Sequence, residues 1–332
     1  MNSVLIIANL RKSQGGITTQ VLELEKSLND DGIKAEIVST YGSSIERING
    51  LFSSFFKSKN YDIILGVGCA YFGFLPILVA FVISFLRNKP VVYNFHDGQV
   101  KEFLKYNYDF VNIVLKKRKV IVATKYLYDI FKLYGFNAEI IHNHFNNLEI
   151  FDPEISNSEI IKVIWARSFE KLYRVDLALD TARFFNGKRK IEFHFYGGGS
   201  EYNYFKDKYN DSNIYFHGIL QRNELLKEYA KYSIFLNTSE YDNFPMSIVE
   251  AGLNNLIVVS SKIGGIETIY SENEIKYFKS GDLDDLIRTF DALTCELSKY
   301  KSFSNNLTNK VISFSWENVK EKWLEVLKIN IQ

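Results

Sequence analysis

The sequence predicts an α/β protein with two doubly wound domains, each built on a parallel sheet covered by helices. Three observations carry this prediction. Short apolar, strand-like runs alternate with helix-like segments along the chain. The alternation stops at Phe145–Glu159, a segment that combines three Asn residues with Asp152 and Pro153, and it restarts at Lys162. A length of 332 residues also exceeds one ordinary core and is typical of two domains.

The first half supplies the segments of one such domain, predicted to span residues 1–150. Strands are expected at Ser3–Ile7, Ala35–Ser39, Asp62–Leu65, Val91–Asn94, Val120–Ala123 and Ala138–Ile141, and helices at Thr18–Leu28 and Gly73–Leu86. Parallel strands are buried on both faces, which accounts for their continuous apolar character.

The second half, residues 151–332, repeats the pattern as a second Rossmann-like domain. Strands are expected at Lys162–Trp165, Ile191–Phe195, Ile214–Phe216, Ser233–Asn237 and Leu256–Ser260, and helices at Leu177–Phe185, Asn223–Tyr229, Ser247–Leu253 and Leu283–Leu293. A last helix at Ser315–Ile329 begins with Ser315 as its N-cap, and we expect it to cross back to the first domain. Ligands of such sheets bind beyond the carboxyl ends of the strands, so we expect a cleft between the two domains.

The composition of the chain restricts its binding partners and its cellular compartment. A net charge of +1 argues against nucleic acid, because phosphate backbones select strongly basic surfaces. The two cysteines, Cys69 and Cys295, form neither a disulfide framework nor a metal cluster, which favours a reducing cytoplasm. Met1–Asn9 lacks a basic leader and predicts a strand rather than a signal peptide.

Two stretches allow contact with a membrane. Leu65–Leu86 carries no charge and is long enough to span a bilayer, but Gly66, Gly68, Gly73 and Pro76 interrupt it, so we predict a buried strand followed by a helix. An aromatic and basic set has two interpretations, either helix core and a solvated helix end or a surface for anionic lipid at the inner face of the cell membrane. This set is Phe52, Phe55, Phe56, Lys57, Lys59 and the cluster Lys116–Lys119.

Several catalytic and cofactor motifs are absent or incomplete. The glycines of Gly66–Gly73 are spaced too widely for a dinucleotide turn, and there is no P-loop. Asp282-Leu283-Asp284 has the spacing of a cation site, but helix capping explains it better. His96-Asp97 and His142–His144 lack the spacing or the cysteines of a zinc site. We therefore expect neither a metal nor a cofactor.

The most informative segment sets two carboxylates, Asp242 and Glu250, around a predicted helix at Met246–Leu253. The strand Leu256–Ser260 follows it and leads to Gly264-Gly265, where a ligand can approach backbone that no Cβ atoms obstruct. Asp242 would lie before this helix and Glu250 near its end, while the helix N-terminus projects N–H groups and positive dipole toward a ligand, an arrangement that suits a polyol or a nucleotide.

This segment resembles the signature of retaining glycosyltransferases of family GT4 (glycosyl transferases group 1), which have the two-domain GT-B fold. The resemblance implies that Glu250 binds the ribose of the donor nucleotide. It implies that Asp242, which stands where the family usually has Glu, contacts the donor sugar. Upstream, Arg167 corresponds to an arginine that clamps the donor phosphates, a task that suits its fork of donors. Lys171 is the best candidate for the lysine partner, with Arg174 as the alternative.

Further landmarks of the resemblance fall in the expected order. Gly15-Gly16 matches a loop that approaches the donor diphosphate, His96 matches a histidine near the reaction centre, and the Gly264-Gly265 turn is assigned to the diphosphate. Gly218 and Glu224 resemble the segment beside the base. The resemblance extends to a hinge at Asn143 and Phe151, in which His144 replaces a glycine. Glycines 197–199 either admit the base or ribose or make a tight turn.

The implied activity is the metal-independent transfer of a sugar from a UDP- or GDP-sugar, with retention, to a glycan or lipid-linked acceptor in bacterial surface polysaccharide or glycoconjugate synthesis. Positive groups would stabilise the leaving diphosphate. Two other functions use the same kind of cleft. One is a sugar-nucleotide epimerase or phosphorylase, and the other is a nucleotide-sugar-binding protein without catalysis.

Overall fold

The computed structural model describes residues 3–10, 16–96, 100–146, 160–297 and 301–328. The contacts between its Cα atoms divide the chain into two units. Unit 1 is Met1–Asn147 with Phe314–Gln332, and unit 2 is Leu148–Ser313. The last helix thus lies in unit 1, which it reaches after the chain has completed unit 2.

Each unit alternates strands and helices. Unit 1 contains β1 (Ser3–Ala8), α1 (Gly16–Asp30), β2 (Lys34–Ser39), α2 (Ser44–Lys57), β3 (Ile63–Gly68), α3 (Leu75–Arg87), β4 (Val91–Phe95), α4 (Val100–Leu115), β5 (Lys119–Val122), α5 (Lys125–Leu133) and β6 (Asn137–Ile140). Unit 2 contains β7 (Ile161–Ala166), α6 (Val175–Phe185), β8 (Ile191–Tyr196), α7 (Tyr202–Lys208), β9 (Ile214–Gly218), α8 (Arg222–Tyr229), β10 (Ile234–Asn237), α9 (Met246–Leu253), β11 (Ile257–Lys262), α10 (Gly264–Glu267), β12 (Lys276–Lys279), α11 (Leu283–Cys295) and α12 (Lys301–Ile312). The chain then returns to unit 1 as α13 (Trp316–Val326).

Both sheets have six strands, and every pairing is parallel, so the predicted α/β class is confirmed. The strand order is β2-β1-β3-β4-β5-β6 in unit 1 and β12-β11-β10-β7-β8-β9 in unit 2. All six residues of β1 are buried, as expected for a central strand with helices on both faces. In unit 2, β10 and β7 are neighbours, which determines where the polar residues after these strands lie.

The uncharged stretch Leu65–Leu86 divides into the end of β3, a 3-10 turn and α3, as predicted. A Cβ on Gly66 would lie 2.8 Å from the Cβ of Ala80, so this glycine allows α3 to pack closely on β3. Across the described ranges, no helix is both long and apolar enough to cross a membrane.

Contacts with α1 and with Asp31, the residue that follows it, fix the last helix in unit 1. Trp316 Nε1 donates to Asp31 Oδ2 at 2.7 Å, and Lys320 Nζ donates to Asp31 Oδ1 at 2.8 Å. The ring of His144 lies 4.8 Å from the ring of Trp316, and its Nε2 is 3.0 Å from Ser27 Oγ. Burial lowers the pKa of His144 to about 4, so this residue packs as a neutral imidazole. Its supposed hinge partner, Phe151, lies outside the described residues.

The helix α2 has no predicted bounds in the sequence analysis. Its capping box is complete, because Ser43 Oγ accepts from Glu46 N while the Glu46 carboxylate accepts from Ser43 N. Only Gly50 and Ser54 of this helix are buried. Phe52 and Phe56 are 62% and 59% exposed, so their interpretation as helix core is wrong.

Candidate active site

The polar residues predicted for the donor gather at the carboxyl edge of the unit 2 sheet. Arg167 directly follows β7, Asp242 follows β10, and Gly265 follows β11. These three strands are adjacent and parallel, so their carboxyl ends meet at one edge. This is where ligands of doubly wound sheets bind.

Arg167 is the centre of this cluster. Its Nη1 donates to Ser247 Oγ at 3.0 Å, its Nη2 donates to a carboxylate oxygen of Asp242, and the Tyr173 ring centroid lies 4.4 Å from the guanidinium carbon. Burial disfavours the charged guanidinium, but the charge and hydrogen bond of Asp242 together with Tyr173 and Tyr229 outweigh it, and the pKa of Arg167 lies above its ordinary value. Arg167 is therefore a mostly buried permanent cation with a fixed orientation.

Glycines hold the backbone that carries Arg167. Gly197 and Gly199 have φ values of 130° and 152°, and a Cβ on Gly197 would collide with the carbonyl oxygen of Arg167. Phe169 N donates to the Gly198 carbonyl at 2.9 Å. Glycines 197–199 therefore form a tight turn that packs against the loop after β7, which is one of the two interpretations given for them.

Asp242 is fixed from two sides. One of its carboxylate oxygens binds Arg167, and its main chain packs against Gly265, where a Cβ would collide with the carbonyl oxygens of Asp242 and Asn243. A carboxylate can accept several hydrogen bonds, so its pairing with Arg167 leaves it able to accept from a ligand hydroxyl.

The helix α9 presents two polar side chains at one end of the cluster. Pro245 occupies its N-cap position, and Phe244 before it is buried. Ser247 in the first turn holds Arg167, and Glu250 lies three residues later on the same face. Glu250 therefore lies close to the residue that holds Arg167.

Glu250 is 9% exposed, and its nearest cationic partner is Arg222, whose Nε lies 3.4 Å from Glu250 Oε1. Burial raises the pKa of Glu250, and the positive charge of Arg222 acts against this rise. Tyr229 is fully buried beside them, and burial together with the charge of Glu250 raises its pKa. The Tyr229 hydroxyl in turn lowers the pKa of Glu250, although less than Arg222 does.

Comparison with known proteins agrees with this geometry. Residues 161–295 match the family profile described as glycosyl transferases group 1. Anabaena Alr3699/HepE in complex with UDP-glucose is 16% identical to the chain, with a TM-score of 0.79 and coverage of 99% of this chain and 100% of that one. The chain has the GT-B fold.

Other GT-B structures match over the same length. Sucrose-phosphate synthase from Thermosynechococcus elongatus is 14% identical, with a TM-score of 0.82 and coverage of 99% and 98% of the two chains. S. aureus TarM, in a complex with fondaparinux, alpha-GlcNAc-glycerol and UDP, is 15% identical, with a TM-score of 0.73 and coverage of 98% and 100%. No curated protein sequence matches the chain significantly.

In this GT-B chain, the two candidates for the second phosphate clamp differ in their surroundings. Arg174 forms a bidentate pair with Asp176, with Nε at 3.0 Å from Oδ1 and Nη2 at 2.9 Å from Oδ2. Lys171 is exposed at the start of a 3-10 turn. The carbonyl of Tyr173 in that turn accepts from Thr238 Oγ1 at 2.8 Å, which places the turn beside the end of β10. These contacts favour Lys171 over Arg174 as the second residue that binds the donor phosphates.

The predicted GT-B residues of unit 1 are His96 and the glycines Gly15 and Gly16. His96 follows β4 and is buried, which lowers its pKa to about 4, so the imidazole is neutral. In the described part of the chain nothing hydrogen-bonds its Nε2. Gly16 begins α1, whereas Gly15 lies outside the described residues.

The remaining predicted residues of the GT-B site have local roles. Gly218 ends β9 with a φ of 73°, and its carbonyl accepts from Gly197 N at 2.7 Å. Glu224 closes the capping box of α8 by accepting from Gln221 N at 3.1 Å. Asp282 accepts from Asp285 N at 3.0 Å and so caps α11, as predicted. Among the residues that the structure describes, no group of His, Cys, Asp and Glu could hold a metal ion.

Proposed function

We propose that the chain is a retaining glycosyltransferase that moves a sugar from a UDP- or GDP-sugar to a hydroxyl of a glycan or lipid-linked acceptor. One observation carries this proposal. A mostly buried, oriented arginine, Arg167, pairs with Asp242 and acts electrostatically on Glu250 at the carboxyl edge of the unit 2 sheet. A nucleotide-sugar offers a diphosphate for the cation and two sets of hydroxyls for the acids.

The proposed chemistry uses the charges of this cluster. The acceptor oxygen forms a bond to the anomeric carbon while the bond from that carbon to the phosphate oxygen breaks. The acceptor proton passes to the departing diphosphate on the same face, and the products are a glycoside of retained configuration and a nucleoside diphosphate. Arg167, Lys171 and the backbone at Gly264-Gly265 stabilise the charge that develops on this leaving group. The scheme assigns no step to a metal or a cofactor.

The other roles follow from the same assignment. Asp242 accepts from hydroxyls of the donor sugar, and Glu250 accepts from the ribose. His96, held neutral by burial, is suited to hydrogen-bond a sugar hydroxyl rather than to carry charge. Gly16 at the start of α1 and Gly218 at the end of β9 complete the set of donor-binding residues. Synthesis of a bacterial surface polysaccharide or glycoconjugate is the setting we propose.

A donor and acceptor screen tests the assignment. We expect one UDP- or GDP-sugar to raise the melting temperature, because a ligand at a hundredfold its Kd adds about 2.7 kcal/mol to the stability of the native state. With that donor, glycoside should form only when an acceptor is supplied. A changed sugar nucleotide without acceptor would indicate an epimerase, sugar phosphate formed with free phosphate would indicate a phosphorylase, and binding without turnover would indicate a non-catalytic protein.

We also propose that unit 1 contacts anionic membrane through α2, which suits a lipid-linked acceptor and a place at the inner face of the cell membrane. Apolar side chains of α2 are exposed in successive turns, and α3 adds Phe85, which is 75% exposed. The two helices adjoin, since the Arg87 guanidinium carbon lies 4.2 Å from the Phe55 ring centroid. Exposed Lys57 and Lys59 flank the apolar side chains. This combination is typical of helices that lie in the headgroup region.

Vesicle binding tests this surface. We expect the protein to sediment with vesicles of phosphatidylcholine containing phosphatidylglycerol at low salt, and Phe52→Ser with Phe56→Ser to reduce the bound fraction several-fold. Leu133→Ser is the matched control, because Leu133 is an exposed apolar residue of unit 1 on α5. Wild-type protein that stays in the supernatant, or equal losses in both variants, would refute the proposed surface.

A further inference from the structure

Arg222 stands out because the sequence motifs do not involve it and its location is electrostatically unfavourable. It occupies the first position of α8. A cation there faces the positive end of the helix dipole, where acidic residues are preferred. The helix dipole therefore does not account for this arginine, whereas the contact with Glu250 on the neighbouring helix does.

The two side chains form a poorly hydrated pair. Arg222 Nε lies 3.4 Å from Glu250 Oε1, and the side chains are 24% and 11% exposed. A carboxylate with so little access to water favours its neutral form unless a cation adjoins it. Arg222 supplies that charge from α8.

The remaining surroundings of Glu250 contribute less. Burial raises its pKa, and the groups that act against this rise are Arg222 first, then Arg167 at the end of β7 and the Tyr229 hydroxyl on α8. Arg167 already pairs with Asp242, and Tyr229 is uncharged at neutral pH. On the other side of α9, α12 packs through residues without charge, namely Leu307, Thr308 and Val311. Arg222 is thus the main group that stabilises the ionised carboxylate.

We infer that Arg222 is a positioning residue that keeps the Glu250 carboxylate ionised and oriented, and that it thereby sets nucleotide affinity and the pH dependence of that affinity. The inference rests on the proposed function, since it takes Glu250 to be the acceptor for the ribose hydroxyls. An ionised carboxylate binds a hydroxyl more strongly than the neutral acid does. Nucleotide affinity should therefore weaken as the pH falls through the pKa of Glu250, and loss of Arg222 should move that decline to higher pH.

Calorimetric titration with UDP and with GDP between about pH 5 and pH 8 tests the inference. For the nucleotide that binds wild-type protein, Arg222→Gln should weaken affinity roughly tenfold at neutral pH and move the decline by about one pH unit upward. Arg222→Lys should bind the nucleotide more tightly than Arg222→Gln but less tightly than wild type, because Lys keeps the positive charge and lacks the paired N–H donors of the guanidinium. Arg288→Gln, which removes an exposed arginine paired with Asp285, is the matched control and should have no effect.

The double variant separates positioning from direct contact. If Arg222 acts through Glu250, Arg222→Gln should add nothing to the effect of Glu250→Gln. A uniform loss of affinity at every pH that persists in the Glu250→Gln background would show direct contact with the nucleotide and overturn the inference. Unchanged affinity in Arg222→Gln would also overturn it. If Glu250→Gln itself has no effect, the proposed role of Glu250 fails as well, so the two failures are distinguishable.

Discussion

Replacing Arg167 with Ala is expected to lower kcat/KM for the donor by about 10²- to 10³-fold, the usual cost of losing one preorganised group that stabilises a leaving anion. Arg167 is suited to this because its orientation is fixed before the ligand binds. Ser247 and Asp242 hold its two terminal nitrogens, and Tyr173 covers one face. Steady-state kinetics with the donor and acceptor found in the screen measure the effect.

The same substitution affects stability, which must be separated from catalysis. Removing the cation leaves the mostly buried Asp242 carboxylate without its partner, and breaking a buried pair in this way costs about 3–5 kcal/mol. The melting temperature of each variant therefore accompanies the kinetics, and Arg167→Lys provides a variant that keeps the charge. Arg183→Ala is the matched control, since it breaks an exposed pair with Asp211 on the same unit. A folded Arg167→Ala variant with wild-type kcat/KM would exclude the phosphate role.

Replacing Glu250 with Gln should weaken nucleotide binding roughly 10- to 100-fold, because charge-assisted hydrogen bonds to the ribose contribute about 1.5–3 kcal/mol each. The fold should tolerate the change. Gln keeps the shape of Glu, and its amide oxygen can still accept from Arg222, whose side chain is 24% exposed. Titration calorimetry measures the affinity, and the melting temperature without ligand checks the fold.

Comparison of UDP with 2′-deoxy-UDP, or of the corresponding GDP pair, identifies the contact more directly. Wild-type protein should prefer the ribonucleotide, and Glu250→Gln should lose most of this preference. Glu267→Gln, at an exposed acid on α10, should behave as wild type. Equal discrimination in wild type and Glu250→Gln would assign Glu250 a structural role and leave the ribose to another residue.

Local patterns carried much of the prediction. Residues 4–8 of β1 and 163–166 of β7 are continuous apolar runs because both faces of these strands are covered, and this signal does not depend on distant residues. The proline before α9 and the apolar residues within it are enough to predict this helix from the sequence. By contrast, α4 contains Asn107 with a non-helical φ of −125°, and its periodicity is interrupted there.

The sequence by itself determined the α/β class, the two alternating series and the spacing of Asp242 and Glu250, because these depend on burial and helix geometry over a few residues. Only the tertiary structure showed that Asp242 pairs with Arg167, which is 75 positions away, and that Arg222 adjoins Glu250, which is 28 positions away. It also showed that the aromatic side chains of α2 face solvent. Which side chains from distant segments pair, and which face of a helix is buried, depend on how the helices and strands pack together. A local pattern of residue types does not specify that packing.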